Sequence, residues 1–248
     1  MAIHPPAGTA SPASSGMRER LIVALDVGSA SEAQKLVARI GDAAGIYKVG
    51  LQLFIAEGPG IVRDLVSSGR RVFLDLKLHD IPTTVALAVK SATVLGVDML
   101  TVHASGGAAM LRAATEAAAG RVNILAVTVL TSLNDEDMQE TGVSGRVSDQ
   151  VLRMAALAQS AGCQGIVTSP RESLMVRKAL GEGFAIVTPG VRPAGAESND
   201  QQRIASPGQA ISNGASHIVV GRPITHAPEP AKAAAAIISE MEQARNSR

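Results

Sequence analysis

The stretch R-V-F-L-D-L-K-L-H-D-I-P-T-T at 71–84 breaks a run of large apolar residues with Asp75, Lys77 and Asp80. Read as a strand, its period of two sends Phe73, Asp75 and Lys77 to one face and Val72, Leu74 and Leu76 to the other. One face is therefore charged where a buried core would be apolar throughout. Charges inside a protein are costly unless they are paired or solvated at an open end. A structural ion pair at a strand rim and a chemical site both meet that condition, and the triplet alone does not choose between them.

Polar residues close other apolar runs in the same way: Asp26, Lys48, His103, Thr131, and Gly221 with Arg222. Scattered ion pairs have no reason to prefer one end of each strand, so this convergence favours a site. Asp26, Asp75 and Asp80 with Lys48 and Lys77 form an alternating array in which opposite charges stabilise one another. A fixed ammonium can donate a proton and balance negative charge developing on a substrate carbon, while a carboxylate such as Asp75 repels an anionic substrate group. Decarboxylation and proton transfer next to a stabilising group use these features. Arg222 in G-R-P offers a donor fork suited to phosphate oxygens. The polar connection holding Gly190, Arg192, Gln201 and Arg203 has the length of a lid that closes on the same anion. A lone loop arginine is more often a solvated surface residue; it is the placement of Arg222 that gives it value.

The elements that must position these residues alternate regularly. Strand-like runs at 21–26, 45–49, 71–78, 98–103, 122–130, 165–168, 184–188 and 217–220 are each followed by helical pattern: 29–40, 53–67, 82–95, 108–119, 147–161, 171–180, 207–213 and 229–242. Ser29 or Ser31 caps the first helix, Pro82 suits the first turn of the third, and a short helix is expected at 223–226. T-S-L-N-D-E-D after the fifth strand reads as a small polar or helical insertion. Eight βα units close a (β/α)8 TIM barrel, in which all strand C-termini share one mouth where active sites lie. No linker divides the units, so a single barrel domain is expected at 19–248, after a flexible Ala/Pro/Ser/Gly-rich tail at 1–18. An open doubly wound sheet is the alternative, but neither G-x-G-x-x-G nor G-x-x-x-x-G-K-[ST] occurs.

Composition narrows the rest. With 248 residues, 46% hydrophobic, one Tyr, three Phe and no Trp, the core must be built from Ala, Val, Leu and Ile. A net charge of +1 without basic clusters offers nothing to nucleic acid. The single cysteine, Cys163, excludes an intrachain disulfide and a cysteine zinc site. His4, His79, His103, His217 and His226 show no metal-ligand spacing, so no metal is expected. No segment has the apolar length of a membrane span or a signal peptide, and a soluble, cytoplasmic protein is expected.

On F-L-D-L-K-L-H-D-I-P-T-T, read as D-x-K-x-x-D-I, together with L-D-V, Y-K-V-G, V-T-V-L-T-S, T-P-G-V-R-P, D-Q-Q-R and V-V-G-R-P-I-T in order, the chain resembles the orotidine 5'-phosphate decarboxylase family. The resemblance runs from Leu21 to the final helix. It implies a carboxy-lyase without metal or organic cofactor that converts orotidine monophosphate to uridine monophosphate and carbon dioxide in pyrimidine synthesis. It further implies that Asp26 and Lys48 contact the ribose hydroxyls, that Asp75 lies near the substrate carboxylate, and that Lys77 gives the proton to C6. Thr131 and Ser132 would face the base; Arg192, Gln201, Gly221 and Arg222 would hold the phosphate. Family members are homodimers with sites at the subunit boundary, so Asp80 and Thr84 would enter the neighbour's site. Thr83 stands where the family often has Asn, which touches only local loop packing. Two rivals stay open: a pentulose- or hexulose-phosphate aldolase or decarboxylase that uses Mg2+ on a similar barrel, and a non-catalytic nucleotide-binding protein.

Overall fold

The computed structural model describes residues 16–193 and 205–246. Eight parallel strands close a barrel in sequence order: β1 (Leu21–Ala24), β2 (Ile46–Gly50), β3 (Arg71–Leu78), β4 (Met99–His103), β5 (Asn123–Val127), β6 (Gly165–Val167), β7 (Ala185–Thr188) and β8 (His217–Val220), with β8 pairing back onto β1. Outside them run α1 (Ala30–Ile40), α2 (Leu51–Glu57), α3 (Gly60–Ser67), α4 (Pro82–Leu95), α5 (Gly107–Ala118), α6 (Asp135–Glu140), α7 (Val147–Ser160), α8 (Ser173–Leu180), α9 (Pro207–Ser212), α10 (Arg222–Thr225) and α11 (Pro230–Asn246). The expected (β/α)8 barrel is the observed one. No described helix is long and apolar enough to cross a membrane.

Two apolar layers follow from strands buried on both faces. Inside the barrel, Ile22, Ala24, Ile46, Phe73, Met99, Leu125, Val187 and Val219 pack with Val167, so every strand contributes to one plug. Residues of opposite parity, among them Val23, Tyr47, Leu74, Leu100, Ile166 and Val220, face the helices in a second, larger core. With so few aromatic rings, Phe73 carries much of the inner volume; truncating such a ring costs about 3–5 kcal/mol.

Several boundaries differ from expectation for local reasons. The helix expected at 53–67 is two helices, because Gly58 caps α2 with φ +63° and Pro59 cannot continue it. The fifth strand stops at Val127, and 128–130 turn onto the barrel rim. Ser29, not Ser31, caps α1, accepting from the backbone N–H of Glu32 at 3.3 Å. The polar insertion forms α6, fixed by a reciprocal capping box between Asn134 and Asp137. At the N-terminus, Met17 opens a 3-10 turn and is buried, so packing begins inside the expected tail; residues 1–15 of that tail lie outside the described residues.

Candidate active site

The mouth of the barrel holds a cleft of about 470 Å³ lined by Lys48, Asp75 and Lys77 on β2 and β3 with Asp26 just past β1, and by Thr131, Gly190, Arg192, Gly221 and Arg222 on the rim. The inner plug forms its floor, since Ala24, Phe73, Val167 and Val219 belong to both. The strand ends therefore bring together most of the residues singled out by pattern.

Four of them make a continuous chain of charge. Lys48 Nζ lies 2.8 Å from Asp26 Oδ1 and 3.9 Å from Asp75 Oδ2, and Lys77 Nζ lies 2.9 Å from Asp75 Oδ1. Asp75 is the buried centre, its side chain 13% exposed, whereas Asp26 is 59% exposed at the outer end. A carboxylate so enclosed is tolerable because two ammonium groups and a hydroxyl, Thr101 Oγ1 at 2.9 Å, satisfy it. Gly50 leaves room for the array: a Cβ there would stand 2.8 Å from Lys48 Nζ.

The period-two reading of β3 holds for its faces, with Phe73, Asp75 and Lys77 lining the cleft and Leu76 against the outer core, but the register with β4 breaks after Leu74. Leu74 pairs with Leu100 but Leu78 with Val102, so four steps along β3 match two along β4. Within this bulge Lys77 takes φ +51°, a conformation that residues with a Cβ seldom adopt. Its backbone N–H donates to Thr101 Oγ1 at 2.8 Å and its ammonium returns to Asp75.

Other expected residues lie elsewhere. Asp80 is exposed and its carboxylate accepts from the backbone N–H of Ile81 at 2.6 Å; it is outside the cleft lining, as are the exposed Thr84 and Ser132. His103 does not line the cleft either. Its ring packs on His79 with centroids 5.3 Å apart, and its pKa is lowered, by burial first and then by His79 and Lys77. The rim loop after β7 is tied at its two ends, Arg192 N–H donating to Ala205 O at 3.0 Å. Gln201 and Arg203, between those ends, lie outside the described residues.

Pattern reading missed Thr101 and Thr168. Thr101 shares the inward parity of Met99 on β4, so the same rule of polar residues on an inner face could have found it. Thr168 follows the last residue of β6 and lines the cleft with a buried hydroxyl that has no hydrogen-bond partner. Among the described residues no group of His, Cys, Asp and Glu is arranged to hold a metal ion.

Such an array can bind a hydroxylated anion, repel a carboxylate at Asp75 and supply a proton from Lys77. Comparison with known proteins points the same way. Residues 19–237 match the model of the family described as orotidine 5'-phosphate decarboxylase / HUMPS. The orotidine 5'-phosphate decarboxylase of Moorella thermoacetica is 51% identical over 91% of this chain and 93% of its own length. That of Syntrophotalea carbinolica is 50% identical over 90% and 95%. The crystal structure of the decarboxylase from Lactobacillus acidophilus superposes with a TM-score of 0.81 at 36% identity, covering 89% of this chain and 98% of that one.

Proposed function

Because the chain belongs to the orotidine 5'-phosphate decarboxylase / HUMPS family, we propose that it decarboxylates orotidine 5'-phosphate to uridine 5'-phosphate without a cofactor. The observation that carries this reading is the Asp26–Lys48–Asp75–Lys77 array, with a carboxylate and an ammonium side by side over a closed apolar floor. The substrate's C6 carboxylate is set against Asp75, and the repulsion between two anions is relieved when one leaves as neutral carbon dioxide. The C6–carboxylate bond breaks with its electron pair left on C6. Lys77 then transfers an ammonium proton to that carbon and recovers one from solvent. A unit charge 4 Å from an ammonium gains about 4 kcal/mol at an effective dielectric of 20, realised only as the carbanion forms.

Asp26 and Lys48 take the ribose hydroxyls, Thr131 and Ser132 the base, and Arg192, Gln201, Gly221 and Arg222 the phosphate. Two chains form the working unit, with Asp80 and Thr84 entering the partner's cleft. Apolar side chains beside that pair support the pairing: Ile81 is 66% exposed, Leu87 58% and Val94 84%. Thr84, Leu87 and Val94 recur at helical spacing along one stripe of α4, a pattern that marks an interface more often than a solvated face.

Chelator-treated protein incubated with orotidine 5'-phosphate should form uridine 5'-phosphate at full rate. No product, or product only after Mg2+ is added, would reject this reading in favour of a metal-using sugar-phosphate activity.

A further inference from the structure

We propose that Thr101 is a positioning residue that holds Lys77 in its reactive conformation; the proposal rests on the catalytic reading of Lys77 given above. Four hydrogen-bonding groups close a ring that begins and ends on Lys77. The Lys77 backbone N–H donates to Thr101 Oγ1 at 2.8 Å, Thr101 donates its single hydroxyl proton to Asp75 Oδ1 at 2.9 Å, and the same oxygen receives Lys77 Nζ at 2.9 Å. A hydroxyl can accept and donate at once, whereas an isosteric methyl can do neither.

The ring accounts for the strand geometry. Lys77 sits at φ +51° in a bulge where β3 runs out of step with β4, and such conformations persist only where surroundings over-determine them. Thr101, on the strand across the bulge, is fully buried, so its hydroxyl cannot exchange these partners for water. One end of the ring fixes the Lys77 backbone and the other fixes its ammonium, through a carboxylate that the hydroxyl also orients. Without the hydroxyl, the backbone N–H loses its acceptor and Asp75 a donor. The left-handed turn then loses the bond that offsets its strain.

The test compares Thr101→Val, which keeps shape and loses the hydroxyl, with Thr101→Ser, which keeps the hydroxyl. Misplacing a reacting group by about 1 Å can cost on the order of 10²-fold in rate, so Thr101→Val should lower kcat by about that factor with KM changed less than about threefold. Thr101→Ser should stay within about threefold of wild type in both. A crystal structure of Thr101→Val should show Lys77 moved out of the left-handed region or its ammonium withdrawn from Asp75. Unchanged kcat in Thr101→Val, equal loss in Thr101→Ser, or an undisturbed Lys77 in the crystal would each overturn the proposal. Should Thr101→Val not fold, Thr101→Ser against Thr101→Ala makes the same comparison of a hydroxyl. If the wild-type protein forms no uridine 5'-phosphate, the decarboxylase reading fails, while the crystallographic comparison still decides whether Thr101 positions Lys77.

Discussion

Arg222 follows directly on Gly221 at the end of β8 and Arg192 stands in the loop after β7, and both side chains border the cleft that contains the charged array. A guanidinium facing phosphate oxygens forms charge-assisted bonds, each contributing roughly 1.5–3 kcal/mol, or about 10–10²-fold in kcat/KM. Arg222→Ala should therefore lower kcat/KM for the nucleotide by about that factor. The decisive comparison is with the phosphate-free nucleoside: wild type should lose much more activity than the variant when phosphate is removed. Equal losses would put Arg222 outside the phosphate site. Asp75 and Lys77 were legible in the sequence because charge inside an apolar strand violates the ordinary pattern. Thr101 was legible only as a polar residue of inward parity on β4; its link to Lys77 depends on a bulge that no single-strand pattern encodes. For Asp80 and Thr84 the residue types were legible, but both are exposed and outside the cleft lining in the single chain, so a strand pattern alone gives them no partner there.

At the scale of elements, all eight strands were located because strands buried on both faces form short apolar blocks, most of them closed by a polar residue. What escaped were breaks in regularity: the Gly58-Pro59 division between α2 and α3, the end of β5 at Val127, and the bulge in β3. Another irregularity lies at the opposite end of the barrel, where β8 begins. His217 shares the inward parity of Val219, and its Nδ1 is shut off from solvent without a hydrogen-bond partner. Nearby, Arg71 pairs with Glu19 at 2.8 Å and Asp98 at 2.7 Å, while Arg20 donates to the carbonyls of Ala215 and Ser216. Burial first, then the charges of Arg20 and Arg71, lower the pKa of His217 from 6.5 to about 4. Below pH 6.5 the unfolded chain thus binds a proton that the folded chain refuses. This stability is complete above pH 6.5 and is lost as pH falls towards 4. Since the residue is only partly buried overall, the loss is on the order of 2 kcal/mol. Urea titrations at pH 7 and pH 4.5 should show that His217→Leu loses less stability between these pH values than wild type does. Parallel losses would mean that the imidazole protonates freely in the folded barrel.

At the scale of the whole molecule, the cleft contains both ammonium groups but lacks Asp80, which stands exposed beyond the end of β3 beside Ile81 and the start of α4. If Asp80 completes the partner's array, Lys77→Ala and Asp80→Ala homodimers should each be nearly inactive, because every site in the first lacks the ammonium and every site in the second lacks the carboxylate. Mixing the two variants under conditions of subunit exchange changes the outcome. A heterodimer has one site missing both groups and one intact site that takes Lys77 from one chain and Asp80 from the other. Random pairing at equal concentrations makes about half the dimers mixed, and half of their sites are intact, so about one quarter of wild-type activity should return. If Asp80 serves its own chain instead, every site in every pairing lacks one group and nothing returns. Mass-labelled chains establish that exchange has occurred. Exchange without recovery would reject the shared site and leave decarboxylation by a self-contained barrel, because the Asp26–Lys48–Asp75–Lys77 array is complete within one chain.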